Sequence, residues 1–129
     1  MEADEETLCR IMLDLQHQGA HNINLVTPAP HVPLIARALP LARQAGLTIP
    51  IVYNTNAYET VQTLKMLEGL IDIYLPDFKY VSAPLAKKYS DAEDYFAIAA
   101  QAIAEMYRQV GNIKLDENGM AASGVLIRH

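Results

Sequence analysis

Four short apolar runs punctuate this chain, at 23–27, 49–53, 70–75 and 124–129, each divided from the next by a stretch with helical spacing. Runs of that length, rich in Ile, Val and Leu and without clean alternation of apolar and polar residues, mark strands with apolar contact on both faces. Parallel strands need a crossover between them, and the intervening stretches are long enough to be helices. The expected fold class is therefore α/β, with about four parallel strands covered by helices.

The helices announce themselves at their ends. Asp4, Glu5 and Glu6 suit a helix N-terminus, Leu8, Ile11, Met12 and Leu15 recur at helical spacing, and Gly19 can end the element, which predicts a helix over 4–18. Pro33 fits the first turn of a helix over 32–45, Pro40 should kink or interrupt it, and Gly46 closes it. A third helix fits 59–67. Ser90 and Glu93 form a capping-box pattern ahead of Phe96, Ala99, Ile103, Met106 and Val110, whose spacing predicts the longest helix, over 91–110. The chain opens on a helix with no strand before it and closes on a strand with no helix after it. The expectation is one partial domain, residues 1–129, truncated at both ends, which should self-associate through open sheet edges or be marginally stable.

A chain of 129 residues buries one sizeable core. Hydrophobic residues make up 51% of it, yet charged residues interrupt every apolar run before the roughly 18 residues that a membrane span requires. The start, Met1 to Glu6, is acidic where a signal peptide would be basic. A net charge of -5 leaves no basic stripe to neutralise phosphates. Together these features point to a cytoplasmic protein with small-molecule or protein partners, and away from nucleic acid and membranes. Cys9 is the only cysteine, so residues 1–129 alone form neither an intrachain disulfide nor an all-cysteine metal site.

In parallel α/β architectures, functional groups gather where loops leave the C-terminal ends of the strands. Here those ends deliver Thr27 to His31, Asn54 to Asn56, Asp77 with Lys79, and Arg128 with His129, whereas the opposite ends offer mainly Gly46, Pro50, Gly69 and Gly124. Asn, Thr and Asp also satisfy turn backbones in any loop, so each residue taken singly has that plain alternative. Asp77 and Lys79 flank Phe78 and would point the same way on an extended strand end, giving an anion and a cation able to hold a zwitterion such as an amino acid. The same pair could equally be a surface ion pair of little energetic consequence. His17, His21, His31 and His129 show no metal-ligand spacing, and Cys9 sits on the apolar side of its helix, where an inert buried thiol is the default.

Several long stretches carry a family resemblance. Gly19 to Pro28, Ile51 to Glu59, Asp72-Ile73-Tyr74-Leu75-Pro76-Asp77-Phe78-Lys79-Tyr80, Glu105-Met106-Tyr107-Arg108-Gln109-Val110-Gly111 and Ile127-Arg128-His129 follow one another in an order that resembles the uncharacterised radical SAM proteins similar to the pyruvate formate-lyase activating enzyme. The resemblance covers nearly the whole chain. It departs at Ala29-Pro30, where the family usually reads Thr-His after Thr-Pro and where His31 falls one place late, and at Ala57, where the family usually has glycine.

The resemblance implies a portion of a parallel (β/α) partial barrel and an oxidoreductase that cleaves S-adenosylmethionine (SAM) reductively and abstracts hydrogen, with a 4Fe-4S cluster on a Cys-x3-Cys-x2-Cys loop. That loop belongs upstream of residue 1, so the chain holds no iron-sulfur ligands and is not competent alone. The resemblance places Thr27 and Pro28 near the methionine amino group, Asp77 and Lys79 near its polar end, Asn54 and Thr55 beside the same pocket with His129, and a monovalent cation near Thr55 and Asp77. A protein substrate such as a glycyl radical enzyme follows by analogy. Two rival readings stand beside it: a metal-dependent hydrolase on a similar barrel using His31, Asp77 and His129, and a non-catalytic SAM-binding or oligomeric module that kept the scaffold without the cluster.

Overall fold

The computed structural model describes residues 4–26, 31–55, 57, 59–76 and 92–127, with only the backbone of 92–96. In chain order the elements are α1 (Glu5–His17), β1 (Ile23–Val26), α2 (Val32–Gln44), β2 (Ile51–Thr55), α3 (Val61–Lys65), β3 (Ile73–Pro76), α4 (Ala92–Val110), β4 (Lys114–Leu115) and β5 (Ala121–Val125). One five-stranded sheet runs β1-β2-β3-β5-β4. Strands β1, β2, β3 and β5 are parallel neighbours, and β4 joins the edge antiparallel to β5. The α/β expectation holds, and the sheet is open, not closed into a barrel.

Helix α1 starts where Asp4 caps it, its carboxylate accepting from the Thr7 amide at 2.8 Å. Helix α2 runs unbroken through Pro40, which differs from the expected interruption. Ala38, Leu39 and Ala42 on either side of Pro40 are fully buried while Pro40 itself is exposed. Packing thus holds the helix although Pro40 has no amide to offer the Ala36 carbonyl. Ser90, half of the predicted capping box, lies outside the described residues.

Four parallel strands were expected, the last beginning at Gly124; the observed β5 is already ending there. The difference comes from a hairpin. Asp116 accepts from the amides of Asn118 and Met120 at 2.8 and 3.0 Å, and its own amide donates to Met120 O at 2.7 Å. That turn brings Leu115 opposite Ala121 and recruits 121–123 into a ladder that a polar stretch does not advertise. Gly124 closes the strand with φ +118. A Cβ there would lie 2.5 Å from Ile113 Cα and 2.6 Å from Asn112 C, so the chain passes behind β5 at a distance only glycine allows.

Helical cover on both faces of the sheet is not what forms among the described residues. Met12 of α1, Val32, Ile35 and Leu39 of α2, Leu64 of α3, and Ala102 and Met106 of α4 share one core with Ile23, Ile51, Tyr53, Tyr74 and Val125. The alternate strand residues Val52 and Ile73 are buried yet lie outside that core. Since successive strand residues point to opposite faces, the four described helices pack on one side of the sheet. Among the described residues the other side is helix-free and carries Asn24, Val26, Val52, Asn54, Ile73 and Leu75, matched across the strands by the parallel register.

Candidate functional site

The N-terminal ends of the strands are polar, contrary to the expectation that they offer little beyond glycine and proline. Arg43 donates to Leu47 O at 3.1 Å, to Ile49 O at 3.0 Å and to the Asp72 carboxylate at 2.7 Å. The same Asp72 oxygen accepts from the Ile51 amide at 2.8 Å. Gln16 of α1 donates to Gly46 O at 2.9 Å and accepts from the amides of Thr48 and Ile49 at 2.7 and 3.1 Å. Every one of these groups serves backbone that would otherwise be unpaired between α2 and β2, so this end of the sheet is a structural seal.

At the opposite end, β2 separates its two predicted site residues. Asn54 pairs in register with Leu75 and Val26 on the helix-free face. Thr55 points the other way and is 4% exposed. Its hydroxyl donates to Glu59 Oε2 and accepts from the Ala57 amide at 3.1 Å. Tyr53, two residues earlier on the same face, donates to Glu59 Oε1 at 2.5 Å. Glu59 is therefore a carboxyl group 5% exposed with a hydroxyl donating to each oxygen, so its burial leaves neither oxygen unpaired. Between Thr55 and Glu59, Ala57 is fully buried and adopts φ +68, a left-handed conformation that glycine takes freely and alanine does not.

The polar chain continues behind the sheet. Tyr74 sits beside Tyr53 in register, ring centroids 5.6 Å apart at 66°, and donates to Gln109 Oε1 at 2.5 Å. Gln109 donates to Leu64 O at 2.9 Å and to Glu105 at 2.7 Å. Arg108 binds Glu105 with two nitrogens, at 2.7 and 2.6 Å, and reaches Glu68 at the surface. Burial first, and for Tyr53 the bond to Glu59 next, pushes both phenols well above the ordinary tyrosine range, so both remain donors. The Arg108 hydrogen bonds, with help from Gln109, hold the Glu105 carboxyl down to about 2. Among the described residues no buried side-chain nitrogen or oxygen lacks a partner.

The helix-free face carries an open cavity of 450 Å³. Val52, Ile73 and Leu75 make its apolar floor; Asn22, Asn24, Asp116 and Asn118 supply polar groups around it, and none of its lining residues is helical. Such a mix of apolar floor and few polar groups suits a small ligand. Of the residues that sequence reasoning assigned to a pocket, Asn54 lies on this face but does not line the cavity, whose walls include residues just before β1 and β2, and Thr55 lies on the other face. Thr27, Pro28, Asp77, Lys79 and His129 lie outside the described residues. His31 is exposed at the start of α2 and caps nothing with its side chain. Among the described residues no three His, Cys, Asp or Glu side chains gather as a metal site, and no helix is long and apolar enough to cross a membrane.

Sequence reasoning missed Glu59, Tyr53, Gln109 and Glu105. One signal was available for Glu105, which interrupts the buried face of α4 between Ala102 and Met106 and so had to find a partner. Glu59 carries no such mark, because its two donors precede it on a strand and only the fold brings them round.

Over 79 residues, 60% of the chain, the sequence is 35% identical to the uncharacterized protein MJ0674 of Methanocaldococcus jannaschii. The chain spans 22% of the length of that relative. No protein-family model matches the chain, and no solved structure matches it.

Proposed function

We propose that this chain is the scaffold and SAM-pocket portion of a radical SAM enzyme of the glycyl-radical activating type. The observation that carries the reading is Ala57. At the position where the resembled family usually has glycine, the backbone is left-handed with φ +68, a conformation that favours glycine and that this chain adopts with alanine. Two further features support it. Parallel strands that, among the described residues, are clothed by helices on one side only have the layout expected of a barrel wall whose inner face receives the ligand. Asn54 is on the helix-free face near the end of β2, where its amide can both donate to and accept from a polar ligand.

The residues fit the two cofactors unequally. Asn54 would hold the polar part of SAM, with Thr27, Pro28, Asp77, Lys79 and His129 completing the pocket. A monovalent cation beside Asp77 would find the Thr55 hydroxyl already engaged by Glu59 and Ala57, leaving that residue's carbonyl to serve. The 4Fe-4S cluster does not fit residues 1–129: Cys9 is the only thiol and packs against the core from α1, so the three cluster thiolates would come from outside these residues. The chemistry such a cofactor pair supplies is reductive SAM cleavage and hydrogen abstraction from a substrate. A cytoplasmic setting and a protein substrate belong to the same proposal.

The test is anaerobic reconstitution, with iron, sulfide and a reductant, of the protein that carries this chain. The expected result is a reducible four-iron cluster by electron paramagnetic resonance, with methionine and 5'-deoxyadenosine formed from SAM. A protein that assembles no cluster and leaves SAM intact sinks the proposal.

A further inference from the structure

We propose that Glu59 is a positioning residue that sets the backbone leaving β2, and through it the placement of Asn54 on the ligand-facing side. The inference rests on the SAM-pocket reading and adds to it a residue that touches no ligand. Three observations converge. Both oxygens of a carboxylate 5% exposed are occupied by hydroxyls from β2, those of Tyr53 and Thr55. Thr55 passes the constraint on, because its oxygen accepts the Ala57 amide at 3.1 Å. Ala57 holds φ +68 while fully buried, a conformation that needs something to enforce it in a residue with a Cβ.

The clamp is anchored at both ends. Immediately after Glu59, Thr60 caps α3, its hydroxyl accepting from the Thr63 amide at 3.2 Å. Tyr53 packs edge-on against Tyr74, which Gln109 ties to α4. Glu59 thus draws the chain just beyond β2 back against the helix side of the sheet. Asn54, one residue before Thr55, faces the opposite side with Val26 and Leu75 as its register partners, so the register sets which way it points and the clamp on Thr55 fixes where this end of the strand sits. Glutamine in place of Glu59 would offer one acceptor oxygen and one amide donor, so one hydroxyl would have to turn from donor to acceptor, which loosens the clamp without emptying the site.

The experiment is carried out on the protein that contains this chain, with its cluster assembled anaerobically. SAM affinity is measured by calorimetry for the wild type, Glu59→Gln, and Glu59→Gln combined with Ala57→Gly. The expected loss in Glu59→Gln is about tenfold, with cluster absorbance and melting temperature little changed because both hydroxyls still find a partner on the glutamine. Ala57→Gly should restore most of it, since glycine takes the left-handed turn without a clamp. Unchanged affinity in Glu59→Gln overturns the inference, and so does loss of affinity together with cluster and melting temperature, or failure of the glycine to rescue. If the wild type binds no SAM, the SAM reading falls by itself. The φ-sensitive amide coupling of Ala57 by nuclear magnetic resonance then decides: a shift out of the left-handed range in Glu59→Gln supports the clamp, and an unshifted value removes it.

Discussion

Tyr53 and Tyr74 lie side by side in register on β2 and β3, edge to face with centroids 5.6 Å apart, yet their hydroxyls serve different partners, Glu59 and Gln109. The two rings are thus the hinge between a carboxylate at the end of β2 and a polar cluster on α4. Removing either hydroxyl keeps the packing and strands an acceptor. Tyr53→Phe should cost about 1–3 kcal/mol, because Glu59 is buried and one of its oxygens is left without a donor. Urea denaturation of Tyr53→Phe, Tyr74→Phe and the double variant measures both terms, and a Tyr53→Phe variant as stable as wild type would show that Glu59 is served by something else.

The left-handed residue gives an opposite sign. Ala57→Gly relieves about 1–2 kcal/mol of backbone strain and returns about 0.4–1 kcal/mol as added freedom of the unfolded chain. A modest net stabilisation, on the order of 0.5 kcal/mol, is expected as a rise in melting temperature. A lower melting temperature would mean that the methyl group's burial outweighs the strain.

At Gly124 the added methyl has nowhere to go. Gly124→Ala places a Cβ 2.5 Å from Ile113 Cα at φ +118, combining left-handed strain with backbone overlap. The loss should be on the order of 3 kcal/mol in chemical denaturation. A loss below about 1 kcal/mol would mean that 112–113 and β5 separate easily.

Glu105 ties stability to pH. Its carboxyl is lowered from 4.5 to about 2, chiefly by Arg108. A carboxyl lowered on folding adds stability that is fully present above the unfolded value and is lost as pH falls from there through the folded value. Stability should therefore drop between pH 4.5 and about 2, and Glu105→Gln should remove that part of the acid limb while costing stability at neutral pH. Denaturation curves across this range check it; identical acid limbs in the two proteins would exclude Glu105 as a contributor.

Most of the architecture was legible because helices and strands declare themselves by local spacing. Helices 4–18 and 91–110 shifted by one residue at an end, since Asp4 and the stripe through Ala99 and Met106 are local signals. The one-sided cover was not legible, because 49–53 reads as continuously apolar although only Ile51 and Tyr53 of that run's strand residues join the core beneath the helices. The hairpin was missed for a related reason: Lys114 and Leu115 are exposed and pair only because Asp116 folds the chain back on Ala121. Of the candidate pocket, Asn54 was placed on the open face and Thr55 was not, a difference of one residue that strand alternation dictates once the register is known.

The seal of Gln16, Arg43 and Asp72 bears on how such a sheet changes over time. By fastening β2 and β3 where they begin, it shares with the Glu59 clamp the task of holding the strands. A substitution at Asn24 or Asn54 touches neither fastening, so what the helix-free face meets can change by steps that each leave a folded protein.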